Sequence, residues 1–257
     1  MRIEYVPQLE LLRELYQQPR DMARFYWYLE RMLGENADGQ LDVVVPMTLA
    51  NPMGREHCLA AVNALLAIDA ERVAQEAAEE ALPRFADVDV TVKLSVTLLD
   101  DVKGGWTHRY LTEAGMRMCT DPRLLRCGIR RRQFVVVPCW ASETYTPERI
   151  RQLTRAGLFS FTYLYQHGAP RTLREIMALD GQARAFAGER PVLDPELLDY
   201  TAQIIAPHME SESFPIQFAC LFGDEPARTV GYAPLGLSAY AGWDLALAMA
   251  LKTMGSP

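Results

Sequence analysis

Between Val88 and Leu98 the chain alternates aliphatic and polar residues at every step. Val88, Val90, Val92, Leu94, Val96 and Leu98 form one set, and Asp89, Thr91, Lys93, Ser95 and Thr97 the other. A period of two is that of a pleated strand with one apolar and one polar face. Short apolar runs at 41–47 and 133–138 predict two more strands, the first buried on both faces. Ile216–Phe222 and Arg228–Tyr232 flank Gly223-Asp224-Glu225-Pro226-Ala227. Turn-type residues between two apolar runs predict a β-hairpin near the C-terminus.

Elsewhere the apolar positions recur at helical spacing. Leu9, Leu12, Leu15 and Tyr16 predict a helix over 7–17, and Met22, Phe25, Tyr26, Leu29, Met32 and Leu33 a second over 20–34. Trp27 and Tyr28 fall off that second stripe. They are read either as packing on a neighbouring helix or as a contact between subunits of a homo-oligomer. Asn51 suits an N-cap and Pro52 a first helical residue, so a helix is expected from there to about Ile68. An alanine-rich helix should follow over about Ala70–Leu82. Further helices are expected at 109–118, from Pro147 to His167, at 170–187, from Pro195 to about His208, and at 239–253. The aromatic alternation Phe159, Phe161, Tyr163, Tyr165 leaves a strand as the competing reading of 158–165.

The expected class is therefore α/β (or α+β): a central mixed sheet of about five strands with helices packed around it, closed by the C-terminal hairpin and a helix. No repeat or low-complexity linker interrupts residues 1–257, which favours one globular domain carrying an N-terminal helical pair at 7–34.

Charge narrows the partners. Lys and Arg number 26 against 33 Asp and Glu, a net charge of −7. That balance argues against a nucleic-acid binder and against an anionic membrane surface. The five cysteines, Cys58, Cys119, Cys127, Cys139 and Cys220, are scattered and contain no CxxC pair. A disulfide framework or cysteine-rich zinc site is not expected. The N-terminal residues do not read as a signal peptide, and no apolar run approaches the ~18 residues of a membrane span. A cytoplasmic setting is the expectation.

The chemistry gathers after the predicted strands. Strand 41–47 leads to Asn51, Glu56 and His57; strand 88–98 to Asp100, Asp101, Lys103, Trp106, His108 and Arg109; strand 133–138 to Cys139, Trp140, Ser142 and Glu143. Helical connections imply parallel strands, and ligands in open α/β sheets bind beyond the carboxyl edge. Asp101, Glu143 and His57 are the candidate catalytic groups, since a carboxylate beside another or an imidazole can exchange protons. Asn51, Glu56, Lys103, Trp106, Arg109 and Trp140 are the candidate substrate-binding groups. The cations would hold an anion and the tryptophans would exclude water.

Each of these has a plainer reading. Asp100-Asp101 is also a common solvated turn with Asp100 on backbone amides, and Gly104-Gly105 a plain tight turn. Trp106 with Lys103 and Arg109 would look the same as a surface tryptophan covered by basic chains. Cys139 is more simply a buried apolar group than a nucleophile. Arg123, Arg126, Arg130, Arg131 and Arg132 form either a solvated patch or a site for an acidic partner. No local metal spacing exists; a metal would need long-range grouping such as His57, His108 and Asp101. No cofactor is indicated. The function expected is that of a hydrolase or transferase for a small anionic molecule. The competing expectation is an interaction module using helix 20–34 and segment 119–132.

Overall fold

The computed structural model describes residues 1–35, 41–43, 50–102, 106–119 and 129–255. They belong to two compact units, Met1–Arg109 with Cys127–Leu158, and Tyr110–Arg126 with Phe159–Pro257. In chain order the first elements are β1 (Arg2–Tyr5), α1 (Leu9–Gln17), α2 (Met22–Met32), β2 (Leu33–Glu35) and β3 (Leu41–Val43). Then come α3 (Glu56–Ala67), α4 (Ala70–Ala81), β4 (Thr91–Leu99), α5 (Arg109–Met118), β5 (Phe134–Trp140) and α6 (Pro147–His167). The chain closes with α7 (Leu173–Phe186), α8 (Pro195–Ile205), α9 (Phe214–Phe222), α10 (Asp224–Thr229) and α11 (Ala241–Gly255).

The first unit is built on a parallel sheet of three strands in the order β1-β4-β5. Tyr5 pairs with Leu94, and Leu99 with Trp140. As the middle strand, β4 buries more than its aliphatic face: Ser95 and Thr97 are as inaccessible as Val92, Leu94 and Val96. The polar row read from the alternation is thus buried along its C-terminal half. Each fully buried aliphatic chain there contributes about 1.5–3 kcal/mol. Helices α1, α3 and α4 pack on β4. Glu71 of α4 fixes the start of α1, its Oε1 accepting the N–H groups of Gln8 (2.7 Å) and Leu9 (2.9 Å). Those two amides would otherwise be orphans of a helix N-terminus.

The five-stranded mixed sheet with a C-terminal hairpin is not what forms. The protein is mostly helical. The strand at 41–43 pairs antiparallel with 33–35 in a separate two-stranded sheet, and β1 takes the edge beside β4. Residues 44–47 lie outside the described residues. The predicted hairpin is the helix pair α9 and α10. Pro215 enters at the start of α9, and Gln217 through Phe222 are all buried, which a half-exposed hairpin strand does not allow. Gly223 turns between the two helices at φ 82°. There Asp224 Oδ1 accepts the N–H groups of Leu235 (2.9 Å), Gly236 (2.9 Å) and Leu237 (3.0 Å). The residues taken for a turn thus begin a helix, with acids in its first turn where the dipole favours them.

Two smaller corrections bear on the site. Helix α3 starts at Glu56, not Pro52. Asn51 instead closes a turn, its Oδ1 accepting the N–H of Met53 at 2.9 Å. On α2 the predicted apolar stripe is partly outward: Met22 is 57% and Tyr26 58% exposed, while Arg24 (3%) and Tyr28 (8%) turn in.

In the second unit, Phe218, Phe222, Trp243 and Ala246 centre the core. A Cβ on Gly181 would strike the Ala246 carbonyl oxygen, so glycine is what lets α7 and α11 approach this closely. The helical reading of 158–165 holds, since α6 runs unbroken to His167.

Candidate active site

Asp100 follows β4 directly, and Ala141 and Ser142 follow β5 directly. Parallel pairing puts both at one edge of the sheet, and the backbone continues the match, the N–H of Ala141 donating to the Leu99 carbonyl at 2.9 Å. Consecutive residues leaving a strand point opposite ways. Asp100 and Asp101 accordingly serve two different clusters.

Asp100 is 2% exposed. Its Oδ1 accepts from His57 Nε2 (2.8 Å) and from the N–H of Val102 (3.2 Å), and its Oδ2 from Asn51 Nδ2 (2.8 Å). Burial by itself would raise the carboxyl's pKa. The bonds from His57, Asn51 and Val102 outweigh it and hold the group below its ordinary value. Asp100 is therefore a carboxylate and can only accept. Because Asp100 only accepts, the proton of this contact lies on His57 Nε2, and Nδ1 is the ring nitrogen left for another partner. The ring is part-exposed, its side chain 27% accessible.

Cys58 Sγ lies 3.3 Å from His57 Nε2. Burial and the Asp100 carboxylate push its thiol up to about 12, so it is not an activated nucleophile. His57, Cys58 and Asp100 each offer one ligand atom within 4.8 Å of the others. An N, S and O donor set of this kind suits a divalent cation of the zinc class, with Asn51 orienting the carboxylate from behind.

The second cluster ties the loops after β4 and β5 together. Asp101 accepts the N–H of Ser142 (3.0 Å), the Ser142 hydroxyl (2.6 Å) and Arg109 Nη1 (3.3 Å). The other arm of Arg109 reaches Glu143 Oε1, and the guanidinium lies 4.2 Å from the Trp140 ring centroid. Tyr145 completes the network, its hydroxyl donating to Glu143 Oε2 (2.9 Å) and accepting the N–H of Trp140 (2.6 Å).

Of the residues singled out in the sequence, Asn51 and His57 meet at Asp100, and Asp101, Arg109, Trp140 and Glu143 meet one another. Glu56 is exposed and Trp106 is 59% exposed. Lys103 lies outside the described residues, as do Arg123 and Arg126. Cys139 is fully buried, and burial raises its thiol strongly. Asp100, which the local turn reading assigned to backbone amides, does take the Val102 N–H but is also the hub of the first cluster. Cys58 and Arg24 carried no signal beyond their type: one is a lone cysteine on a helix, the other a charge within an aromatic stretch.

The comparisons add no relative: no family model, curated protein or solved structure matches the chain. Among the described residues no helix is long and apolar enough to cross a membrane.

Proposed function

We propose that this protein is an enzyme of the hydrolytic or group-transfer kind acting on a small anionic molecule, with His57 as its general base and Asp100 as the residue that positions it. The observation that carries the reading is the 2.8 Å contact between a buried Asp100 carboxylate and Nε2 of a part-exposed imidazole. A carboxylate behind a histidine fixes the tautomer and stabilises the imidazolium formed when the other nitrogen takes a proton. Nδ1 makes no hydrogen bond among the described residues. It would take the proton of a water or hydroxyl as that oxygen attacks the substrate, then return it to the leaving group. Asn51 holds the second carboxylate oxygen, so Asp100 keeps its aim.

Within the second cluster, Asp101 and Glu143 are already committed to Ser142, Arg109 and Tyr145. Their proposed part is to shape the rim, with Trp140 as a buried wall beneath Arg109.

Two measurements test this. Nitrogen-15 spectra of the histidine side chains should give Nε2–H as the neutral tautomer of His57. In a panel of phosphate esters, carboxylic esters and amides, His57→Gln should lower kcat/KM by about 10²–10⁴-fold. Asp100→Asn should lower kcat with little change in KM. An Nδ1–H tautomer, or equal rates in wild type and His57→Gln, overturns the reading.

The exposed pair Met22 and Tyr26, one turn apart on α2, favours a second reading as a contact surface between copies. A mass by light scattering that is independent of concentration and unchanged by Tyr26→Lys removes it.

A further inference from the structure

Arg24 is a buried guanidinium with no counter-ion among the described residues. Residue 24 is 3% exposed. Its Nη2 donates to the Gly54 carbonyl at 2.8 Å, and its Cζ lies 5.1 Å from the Tyr16 ring centroid. Neither contact neutralises it, and among the described residues it has no ion-pair partner. Its Nε has no hydrogen-bond partner, and neither does the buried Tyr16 hydroxyl beneath it. Arg20, just before α2, sends its Nε to the Met53 carbonyl at 3.0 Å and also lacks an acidic partner among the described residues. Two like charges therefore grip neighbouring carbonyls of the 51–54 turn, and the acid between them in sequence, Asp21, is turned to the backbone N–H groups of Ala23 and Arg24.

A charge taken out of water costs several kcal/mol unless it is paired, and an orphaned donor beside it adds to that cost. The arrangement is unfavourable for the protein alone and favourable once an oxyanion supplies the missing charge and acceptors. Arginine is the side chain whose planar fork fits carboxylate and phosphate oxygens.

The position matters as much as the charge. A Cβ at Gly54 would lie 2.7 Å from Cys58 Sγ and 2.9 Å from Tyr16 Cε1. Cys58 Sγ in turn lies 3.3 Å from His57 Nε2. Cys58 thus lies between Gly54, whose carbonyl Arg24 holds, and the His57 imidazole. Arg109, the arginine that the sequence offers for an anion, already holds Asp101 and Glu143.

We infer that Arg24, with the Tyr16 hydroxyl and Arg20, anchors the carboxylate or phosphate group of a small ligand whose other end reaches His57. The anchoring is a binding property in its own right; its use in turnover rests on the reading of His57 as the base. The ligand class is a small molecule with an oxyanion a few bonds from the group that reacts.

The test uses the full chain with inorganic phosphate and with succinate as probes, ionic strength held constant with chloride. Calorimetric titration and thermal melts should show one of these anions binding and raising the Tm with concentration. A phosphate response assigns a phosphate ligand, and a succinate response a carboxylate one. Arg24→Met should weaken that binding by about tenfold or more, the scale of a lost charge-assisted pair, 1.4 kcal/mol. The same variant should fold with unchanged or raised stability in the absence of anion, since an apolar chain replaces an unpaired buried charge. Arg20→Gln, at the surface, and Tyr16→Phe should each weaken binding and carry the test if Arg24→Met does not fold. His57→Gln should abolish turnover yet keep the anion affinity, which separates this inference from the catalytic one. No response to either anion, or an equal response in wild type, Arg24→Met and Arg20→Gln, overturns it.

Discussion

Arg109 lies over Trp140, 4.2 Å from the ring centroid, with Asp101 on one arm and Glu143 on the other. The pair closes the loop after β4 onto the loop after β5. Arg109→Met keeps the apolar contact with the indole but leaves the Asp101 carboxylate, 4% accessible, without its cation. The expected cost is about 1–3 kcal/mol, the penalty for stripping a partner from a buried charged acceptor. Urea melts of Arg109→Met, Asp101→Asn and the double variant check it. The double should recover much of the loss, because the two act through one contact. Fully additive losses contradict the pairing.

The sequence carried the placement of the two loops after β4 and β5 further than it carried the architecture. The alternation along 88–98 and the apolar run at 133–138 identified β4 and β5. Their helical connection identified parallel order, so Asp101 and Glu143 were expected on one rim. What could not be read was which of two consecutive aspartates would face His57. That depends on the last residue of β4 in the pleat, and a one-residue shift exchanges them. Strand β1 was missed because four residues, Arg2-Ile-Glu-Tyr5, are too few to display a period. The misread hairpin at 216–232 has a different cause. An apolar run such as Ile216–Phe222 fits a buried helix as well as a strand, and the deciding signal was Pro215 just after Ser213 at its start. Arg24 was invisible for a third reason: charge predicts an outward side chain, and here tertiary contacts with Tyr16 and Gly54 override it.

In the second unit, Arg117 holds two carboxylates, those of Asp180 and Glu113. It donates to Asp180 through Nε (3.0 Å) and Nη2 (2.9 Å to each oxygen), and to Glu113 through Nη1 (3.0 Å). Its Cζ stacks 3.8 Å from the Trp243 ring centroid. Arg117→Ala leaves two carboxylates with only their remaining partners and uncovers the indole. A loss of about 3–5 kcal/mol is expected, as for breaking a buried ion pair from one side. Arg117→Lys should rescue little, since one ammonium cannot reproduce the fork. Chemical denaturation reads both; near-wild-type stability in Arg117→Lys would assign the contribution to charge alone.

Asp224 provides a pH test. Burial tends to raise its pKa, but the N–H groups of Leu237, Leu235 and Gly236 and the charge of Arg228 lower it below the ordinary carboxylate value. A group depressed in the folded state stabilises fully above its unfolded pKa, about 3.9, and loses that contribution as pH falls through the folded value. Asp224→Asn should therefore be less stable than wild type at neutral pH. The gap should shrink as the solution is acidified below about pH 4. Thermal melts across that range measure it, and a gap independent of pH contradicts the mechanism.

Gly54 joins the anion anchor to the reactive histidine, and its replacement tests whether the two are mechanically linked. A Cβ there would sit 2.7 Å from Cys58 Sγ and 2.9 Å from Tyr16 Cε1, closer than either atom tolerates. The tyrosine ring lies under Arg24 and the cysteine is held in the first turns of α3, so neither moves without disturbing a site residue. Gly54→Ala should cost about 1–3 kcal/mol as an overpacked core position does. It should also shift the His57 imidazole resonances, because Cys58 Sγ touches Nε2. Cys58→Ala combined with Gly54→Ala removes the collision with the sulfur but not the one with Tyr16 Cε1, so it should restore only part of the stability. If the single variant leaves those resonances in place, the turn and the imidazole are independent, and the ligand must be anchored and processed without help from residue 54.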